Sequence, residues 1–314
     1  MVREHLKLNK FEIFTFLTKI IPESKFKDRL NYFIYDLADH PFYQAEKLIS
    51  NIRTCKDGIL YLETNDGLAF YGLPDKNPYA YLKYLNRSKV NKIKDYPFFG
   101  SFFMILDEIF NKNIYGKFIH INKGDIVVDA GAHFGLFTVM ASKIVGDEGK
   151  VIAIEPEPEN LKILKKNIKL NNLKNVITIN KGIWSSKKDL KMNKGQYNRS
   201  HTFVEDHPEK TSEGLVLQVD TLDDILKELN IKTVDFIKMD IEGSEVEALD
   251  GMGEVFKFKP NMVIAAYHQF RGKETYHDVV KKLKDNNFQL RTLKGHKMVY
   301  AADVFYGQHV EMVA

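Results

Sequence analysis

Residues 126–135 read Ile-Val-Val-Asp-Ala-Gly-Ala-His-Phe-Gly, and this stretch decides the fold. The apolar run at 126–130 predicts a buried strand, and the amphipathic pattern over 136–145 predicts a helix directly after it. Gly131 and Gly135 flank the turn, where glycine permits a left-handed backbone and lets a ligand approach closely. A strand, a glycine turn and a helix in this order are typical of the ligand-binding edge of an α/β sheet.

The alternation of strands and helices continues toward the C-terminus. Further apolar runs and amphipathic stretches alternate over 151–155, 159–170, 176–180, 222–229, 234–240, 244–249, 262–267 and 276–283. Such a pattern predicts a mostly parallel, doubly wound sheet with helices on both faces. Two final strands, 288–293 and 298–305, are joined by only four residues and must therefore be antiparallel. We predict a Rossmann-like α/β fold whose last strand is antiparallel.

The first hundred residues have a different pattern. Amphipathic segments at 10–21 and 26–37 predict helices, and Asn65-Asp66-Gly67 predicts a hairpin turn within 59–73. We interpret the aromatic residues between 96 and 110 as packing against the main sheet. The predicted division is an N-terminal α+β extension at 1–104 and a main domain at 105–314, with an irregular insertion at 181–219.

The composition excludes several kinds of site and partner. The 46 basic and 42 acidic residues leave a formal charge of +4, too small an excess to attract a polyanion over a distance, which argues against nucleic acid as a partner. Cys55 is the only cysteine, so an intramolecular disulfide and a cysteine-ligated metal cluster are excluded. Charged residues interrupt the N-terminal segment, and no apolar run reaches the roughly 20 residues of a membrane span. We expect a cytoplasmic protein.

Polar residues stand at the carboxyl ends of the predicted strands, the edge at which doubly wound sheets bind ligands. They are Asp129, Glu155, Asn180, Asp240 and the pair Tyr267-His268. Glu155 follows Gly131 by 24 positions, a distance at which a carboxylate accepts both hydrogens of a ribose diol.

A nicotinamide cofactor is the first alternative, because its fingerprint is Gly-x-Gly-x-x-Gly. Counted from Gly131, the second and third glycine positions hold His133 and Leu136, so no phosphate-binding loop is evident. The spacing instead suits a ligand with an amino acid and an adenosine but no phosphate. S-Adenosyl-L-methionine is such a ligand. A purely structural turn remains the other alternative.

Several stretches match one family pattern. They are Gly124-Asp-Ile-Val-Val-Asp-Ala-Gly-Ala-His-Phe-Gly135, Val151-Ile-Ala-Ile-Glu-Pro156, Val219-Asp-Thr-Leu-Asp223 and Val234-Asp-Phe-Ile-Lys-Met-Asp-Ile-Glu-Gly-Ser-Glu245. With Tyr267-His268 after the fifth strand, the chain resembles the FkbM family of class I methyltransferases. The resemblance implies a seven-stranded sheet, S-adenosyl-L-methionine as methyl donor, and transfer mainly to oxygen. His133 replaces a usual asparagine, and Ala265-Ala266 replace a frequent acidic residue.

The resemblance also implies a cofactor site. Asp129, Gly131 and Gly135 would surround the methionine part, and Glu155 would hold the ribose. We extend the predicted site to residues that neighbour these positions or end the strands: Ala132, His133, Pro156, Asn180, Gly182 and Asp240.

The acceptor side needs a base, because an alcohol must lose its proton when it is methylated. The predicted catalytic residues are Asp240, Glu242 and His268, with His268 as the preferred base. Lys238 lies two positions before Asp240 on one strand, so Asp240 is the obvious partner for its charge. The alternative, which the strand-end position of Asp240 favours, places this carboxylate near the methyl group or the acceptor. A divalent metal held by the three catalytic residues is an alternative, and direct base catalysis without a metal is the simpler choice.

Three further residues are predicted to have supporting roles. Glu245 is expected to favour the start of a helix through the helix dipole. His201 and His207, in the insertion, are candidates for a lid over the acceptor.

Three functions follow from these features. The leading hypothesis is O-methylation of a small hydroxylated or sugar-like acceptor. The second is methylation of RNA or protein, which would require a concentrated basic face. The third is a module that binds S-adenosyl-L-methionine without turnover.

Overall fold

The computed structural model describes residues 41–75, 92–195, 201–203, 210–270, 272–293 and 297–305. Its strands are β1 (Ile49–Thr54), β2 (Leu60–Thr64), β3 (Ala69–Gly72), β4 (Ile126–Ala130), β5 (Lys150–Ile154), β6 (Val176–Ile179), β7 (Gly182–Ile183), β8 (Lys188–Gly195), β9 (Lys210–Asp220), β10 (Phe236–Met239), β11 (Asn261–Ala265), β12 (Gln269–Phe270), β13 (Lys273–Glu274), β14 (Gln289–Leu293) and β15 (Met298–Ala302). Its α-helices are α1 (Pro41–Leu48), α2 (Gly100–Leu106), α3 (Leu136–Val145), α4 (Pro158–Leu170), α5 (Leu222–Glu228), α6 (Glu245–Asp250) and α7 (Tyr276–Asp285). The predicted helices at 10–21 and 26–37, and His207, lie outside these ranges.

Seven strands form the central sheet, in the order β14-β15-β11-β10-β4-β5-β6. The pairs β11–β10, β10–β4, β4–β5 and β5–β6 are parallel, while β15 is antiparallel to both β11 and β14. The predicted Rossmann-like, seven-stranded sheet with an antiparallel last strand is therefore confirmed. The carboxyl ends of β4 and β10, adjacent strands at the centre, lie side by side.

Helices cover both faces of this sheet. Val127 and Val128 of β4 lie in two separate buried clusters, because successive side chains of a strand point to opposite faces. The cluster of Val127 includes α3, and the cluster of Val128 includes α5, α6 and α7. This arrangement follows from near-continuous apolar strands, which can be stable only when they are covered on both sides.

The N-terminal extension contributes a small antiparallel sheet, β1-β2-β3, whose predicted hairpin turn contains Gly67 with φ +84°. The free edge of β3 faces α4. Asn171 accepts a hydrogen bond from the Ala69 amide at 3.1 Å and donates to its carbonyl at 2.6 Å. Asn167 pairs with the Tyr71 amide and carbonyl in the same way, at 2.6 and 3.0 Å. Two side chains, one helical turn apart, thus dock the edge strand onto the main domain.

The aromatic segment packs where it was expected to. Phe99, Phe102 and Phe103 are buried in the same cluster as Val127 of the central sheet, and Phe102 stacks on Phe134. α2 continues through a π-helical turn over Asp107–Asn111, which brings this segment to the edge of the sheet where β4 ends.

The insertion adds a second three-stranded sheet in the order β7-β9-β8, with β8 and β9 antiparallel. The extra strands predicted there are present. Among the described residues, no helix is both long enough and apolar enough to cross a bilayer.

Candidate active site

The loop after β4 needs glycine at two positions for reasons of local packing. Gly131 has φ +77°, and a Cβ placed there would lie 1.9 Å from the carbonyl oxygen of Asp240. Gly135 has φ +84°, and its Cβ would lie 2.3 Å from Cδ1 of Leu164 on α4. Gly131 is thus glycine because β10 ends directly against it, and Gly135 because α4 packs on the start of α3.

Lys238 and Asp129 form a buried ion pair beneath this loop. Nζ of Lys238 lies 3.1 Å from Oδ1 of Asp129 and donates to the Gly131 carbonyl at 2.7 Å. Thr138 donates to the other Asp129 oxygen at 2.6 Å. The predicted pairing of Lys238 with Asp240 is wrong. Lys238 and Asp129 are direct register partners on adjacent parallel strands, whereas Asp240 lies beyond the end of β10.

Glu155 anchors the other side of the loop. Its carboxylate accepts hydrogen bonds from the amides of His133 at 2.8 Å and Glu157 at 3.0 Å. Burial raises the pKa of Glu155 to about 7, although these two amides work in the opposite direction. A carboxylate has about four acceptor positions, so further donors can still bind here.

Two open cavities meet at the carboxyl ends of β4 and β10. The first has a volume of about 560 Å³. Its lining includes the predicted residues Gly131, His133, Glu155, Pro156, Gly182 and Asp240, and also His201. The second has a volume of about 640 Å³ and shares with the first the residues Gly131, His133, Asp240 and Glu242. The two cavities therefore border one another at the loop and at the acidic end of β10.

Outside the shared set, most of the residues that line the second cavity are apolar or aromatic. Apart from the shared residues, its lining is Met104, Ile105, Glu108, Ile109, Tyr115, Ala132, Leu136, Phe137, Lys238 and Tyr267. Several of these residues belong to α2 and the π-helical turn. The sequence pattern predicted only packing against the sheet for this segment. Tyr267 is 41% exposed, so this aromatic residue lines the cavity from a position that is also in contact with solvent.

Not every predicted site residue reaches a cavity. The catalytic candidate His268 lines neither one, and among the predicted cofactor-binding residues the same is true of Asp129, Gly135 and Asn180. The Asn180 side chain donates instead to the carbonyls of Glu155 and Pro156, at 3.0 and 2.8 Å. Asp129 supports the loop through its ion pair with Lys238, and Gly135 through its contact with α4. Asn180 supports the segment after β5 through the two carbonyls.

Asp240, Glu242 and His268 come together as predicted. Nε2 of His268 lies 3.6 Å from Oδ1 of Asp240 and 3.5 Å from Oε2 of Glu242. Burial alone would lower the pKa of His268, but the surrounding carboxylates of Glu242, Glu245 and Asp240 outweigh it and raise the pKa to about 10. His268 is therefore a cation at neutral pH in this arrangement.

Glu245 does more than favour a helix terminus. It is fully buried, and its Oε1 lies 2.8 Å from Nδ1 of His268. The same oxygen accepts the amides of Ile241 at 3.3 Å and Gly243 at 3.2 Å. Glu245 therefore fixes both the imidazole and the loop that carries Glu242.

Sequence reasoning missed Tyr115. Its hydroxyl donates to Oδ2 of Asp240 at 2.8 Å, and the ring lies under the Lys238 ammonium at 5.6 Å. Burial, together with the negative charge of Asp240, raises the pKa of Tyr115 well above its ordinary value. No spacing rule connects residues 125 positions apart, so no signal in one sequence pointed to this contact.

Residues 129–290 match the methyltransferase FkbM domain. The matched range includes the loop after β4, the residues that follow β10, and His268. The chain belongs to the FkbM methyltransferase family. The family predicted from its motifs is confirmed, and this methyltransferase uses S-adenosyl-L-methionine as its methyl donor.

Several known proteins are similar to this methyltransferase. Methyltransferase sdnD of Sordaria araneosa is 27% identical over 179 residues, 48% of this chain and 68% of its own. Methyltransferase 1 of Beauveria bassiana (strain ARSEF 2860) is 26% identical over 146 residues, 41% of this chain and 58% of its own. A crystal structure of a SAM-dependent methyltransferase from Aquifex aeolicus is 19% identical with a TM-score of 0.38, and covers 73% of this chain and 99% of its own. The match with the second relative spans 58% of that protein's length.

The site suits the methyl donor in its chemistry. Glu155 offers a buried carboxylate at the wall of the first cavity, and Gly131 lines both cavities. Methyltransferase activity requires an acceptor beside this donor, and the second cavity adjoins the same loop.

Proposed function

We propose that this methyltransferase transfers a methyl group to a hydroxyl oxygen of a small acceptor, a hydroxylated metabolite or a sugar-like molecule. The observation that carries the proposal is the position of Asp240 and Glu242, whose carboxylates border both cavities. A donor in the first cavity and an acceptor in the second would meet at these carboxylates. An oxygen nucleophile needs such acceptors for its proton.

The proposed donor site follows the lining of the cavities. Glu155 would accept hydrogen bonds from the ribose hydroxyls, with Pro156 and Gly182 beside it. Gly131 and His133 would hold the methionine part, Ala132 would border it from the second cavity, and Asp240 would lie near the reacting centre. Asp129, Gly135 and Asn180 would act on the donor indirectly, because they stabilise the loops and do not line a cavity.

The charged groups in and behind the wall shared by the two cavities support this arrangement. Four carboxylates, those of Asp129, Asp240, Glu242 and Glu245, are joined to two cations, Lys238 and His268. The excess of negative charge favours a positively charged sulfonium. When S-adenosyl-L-methionine is bound, it supplies an electrophilic methyl group on that sulfonium.

The carboxylate of Asp240 is the proposed base. The preferred base from the sequence was His268, but its raised pKa leaves the imidazole already protonated at neutral pH. Asp240 has one oxygen fixed by Tyr115 and the other facing His268. In the proposed step, the hydroxyl proton passes to a carboxylate, the new C–O bond forms, and the C–S bond breaks to leave a neutral thioether. Glu242 and His268 would hold Asp240 in place.

Two alternatives make different predictions. Methylation of RNA or protein would place the methyl group on a macromolecule and would be sensitive to salt. A module that only binds the donor would form no S-adenosylhomocysteine with any acceptor.

The test is a release assay for S-adenosylhomocysteine over matched acceptors, preceded by calorimetric titration with S-adenosyl-L-methionine and, in parallel, NADH. Each hydroxylated acceptor is compared with its amine analogue and with its O-methyl ether, and mass spectrometry locates the added methyl. We expect turnover with a hydroxyl compound and none with its ether. Methylation of the amine analogue alone, of RNA or of protein would contradict the proposal.

A variant pair completes the test. Asp240→Asn keeps the shape of the side chain and should lower kcat by about 100-fold or more, the range typical of a lost general base. Glu254→Gln removes an exposed carboxylate that pairs only with Lys257 among the described contacts, and it serves as the control. Equal turnover in both variants would exclude Asp240 as the base.

A further inference from the structure

Three side chains at the acidic end of β10 each offer one metal-ligand atom. The ligand atoms of Asp240, Glu242 and His268 all lie within 4.8 Å of one another. The distances of 3.6 and 3.5 Å from Nε2 to the two carboxylates are too long for hydrogen bonds. They match the edge of a tetrahedron around an ion with ligand distances of about 2.1 Å, which is roughly 3.4 Å.

The imidazole points an unpartnered nitrogen at this position. His268 is only 6% exposed, and neither its Nε2 nor Oδ1 of Asp240 has a hydrogen-bond partner. Buried polar atoms ordinarily find a partner. One ion between the two atoms would replace the proton of Nε2 and supply a partner for both.

Glu245 orients the imidazole as metal sites require. Nδ1 of His268 lies 2.8 Å from a fully buried carboxylate that two backbone amides also hold in place. A metal-ligating histidine ordinarily donates its second N–H to such a carboxylate, which directs the other nitrogen toward the metal. The structure thus contains both the ligands and the group that supports one of them.

We infer that Asp240, Glu242 and His268 bind a divalent first-row metal ion, with Zn²⁺ and Mn²⁺ as the candidates that accept both carboxylate and imidazole ligands. Asp240 and Glu242 line both cavities, so the ion would lie where the proposed donor and the proposed acceptor meet. The role of the ion rests on the proposed function and changes one step of it. A bound hydroxyl becomes more acidic, its proton leaves to solvent, and the carboxylates act as ligands instead of as the base.

The binding test needs no acceptor. The full chain is treated with a chelator, dialysed, and titrated calorimetrically with Zn²⁺ alone and with Mn²⁺ alone. We expect one ion to bind per chain, and we expect Glu242→Gln to weaken binding by at least tenfold. Glu254→Gln, the exposed control, should bind like the wild-type chain. Absence of saturable binding, or equal affinity in all three proteins, overturns the inference.

A spectroscopic measurement on the wild-type chain removes the dependence on variants that could fail to fold. Pulsed electron paramagnetic resonance of bound Mn²⁺ should show coupling to one imidazole nitrogen. Bound Mn²⁺ without that coupling overturns the assignment to His268.

The same preparations distinguish this inference from the proposed function. If the chelated chain binds no ion and still methylates a hydroxyl at its full rate, the metal site is wrong and the proposed function stands. If the ion binds as expected but the methyl group appears on nitrogen or on a macromolecule, the site stands and the proposed acceptor is wrong.

Discussion

The phenol of Tyr115 donates a 2.8 Å hydrogen bond to Oδ2 of Asp240, from a segment that lies before the first central strand. A hydrogen bond to a charged group contributes about 1.5–3 kcal/mol. Since Tyr115 holds one carboxylate oxygen, the other is left directed at His268. Tyr115 is therefore a positioning residue for Asp240.

Tyr115→Phe should lower kcat by about tenfold, because loss of one such bond corresponds to roughly 1.4 kcal/mol or more. The dissociation constant for S-adenosyl-L-methionine should change by less than about twofold, since the ring still fills its place. Steady-state kinetics and calorimetry measure the two quantities. Tyr276→Phe, which removes only a 3.3 Å contact with Thr292, is the control. A change in donor affinity with an unchanged kcat would assign Tyr115 to the donor instead.

Gly131→Ala should destabilise the fold by several kcal/mol. The new Cβ would meet the Asp240 carbonyl at 1.9 Å, so β10 and the loop must move apart. Gly67→Ala is a matched control, because Gly67 has a similar positive φ and nothing within 4 Å of a Cβ. Gly67→Ala should lower the free energy of unfolding by only about 1–2 kcal/mol, the cost of a left-handed backbone for a residue with a Cβ. Urea unfolding measures both variants, and equal losses would show that the contact with Asp240 has no effect.

Binding of S-adenosyl-L-methionine should release a proton near pH 6.5–7, because burial raises the pKa of Glu155 to about 7 in the free chain. Donated ribose hydroxyls would stabilise the charged carboxylate and lower this pKa. Affinity should therefore rise between about pH 6 and pH 8. Calorimetry in buffers of different ionisation enthalpy counts the protons, and Glu155→Gln should abolish their release. Affinity that is independent of pH in the wild-type chain would contradict the ribose role.

The same raised pKa has a consequence for the chain without its donor. Glu155 is protonated more readily in the folded state than in the unfolded state, where its pKa is near the ordinary 4.5. The folded state therefore binds more protons between these two values, and stability falls as the pH rises from about 4.5 to about 7. Urea unfolding across this range should show the decline in the wild-type chain and a smaller one in Glu155→Gln.

Lys238→Met should destabilise the fold by about 3–5 kcal/mol, because it leaves the Asp129 carboxylate buried without its cation. The double variant Lys238→Met, Asp129→Leu should lose less stability than Lys238→Met alone, since no unpaired charge remains buried. Thermal and urea unfolding of the two single variants and the double variant give the coupling free energy. A coupling near zero would mean that the 3.1 Å ion pair contributes nothing.

The sequence allowed the sheet to be predicted because its signals are local. Each apolar run of about five residues became a strand, and the four-residue connection before β15 required an antiparallel pair. The strand ends also brought Asp240, Glu242 and His268 together as expected, since parallel strands end at one edge. The division at residue 104 and the cytoplasmic location stay predictions.

Side-chain contacts between strands and between distant segments could not be predicted from these local patterns. Lys238 pairs with Asp129 because β10 lies beside β4, and no pattern in one sequence gives strand order. Tyr115 reaches Asp240 through a segment with no motif. The pKa of His268 depends on three carboxylates that only the folded chain assembles, and this is why the preferred base changed from His268 to Asp240.

Asn167 of α4 and Asn171, which directly follows this helix, satisfy the outward amides and carbonyls of Ala69 and Tyr71 on β3. An uncovered edge strand is a template on which another chain can add a strand, and it favours aggregation. The two asparagines thus act as a short substitute strand that closes this edge. Replacing both with alanine should cause self-association that increases with protein concentration, measurable by light scattering. A helix that borders the first cavity through Asn160 would then also protect the molecule from its own copies.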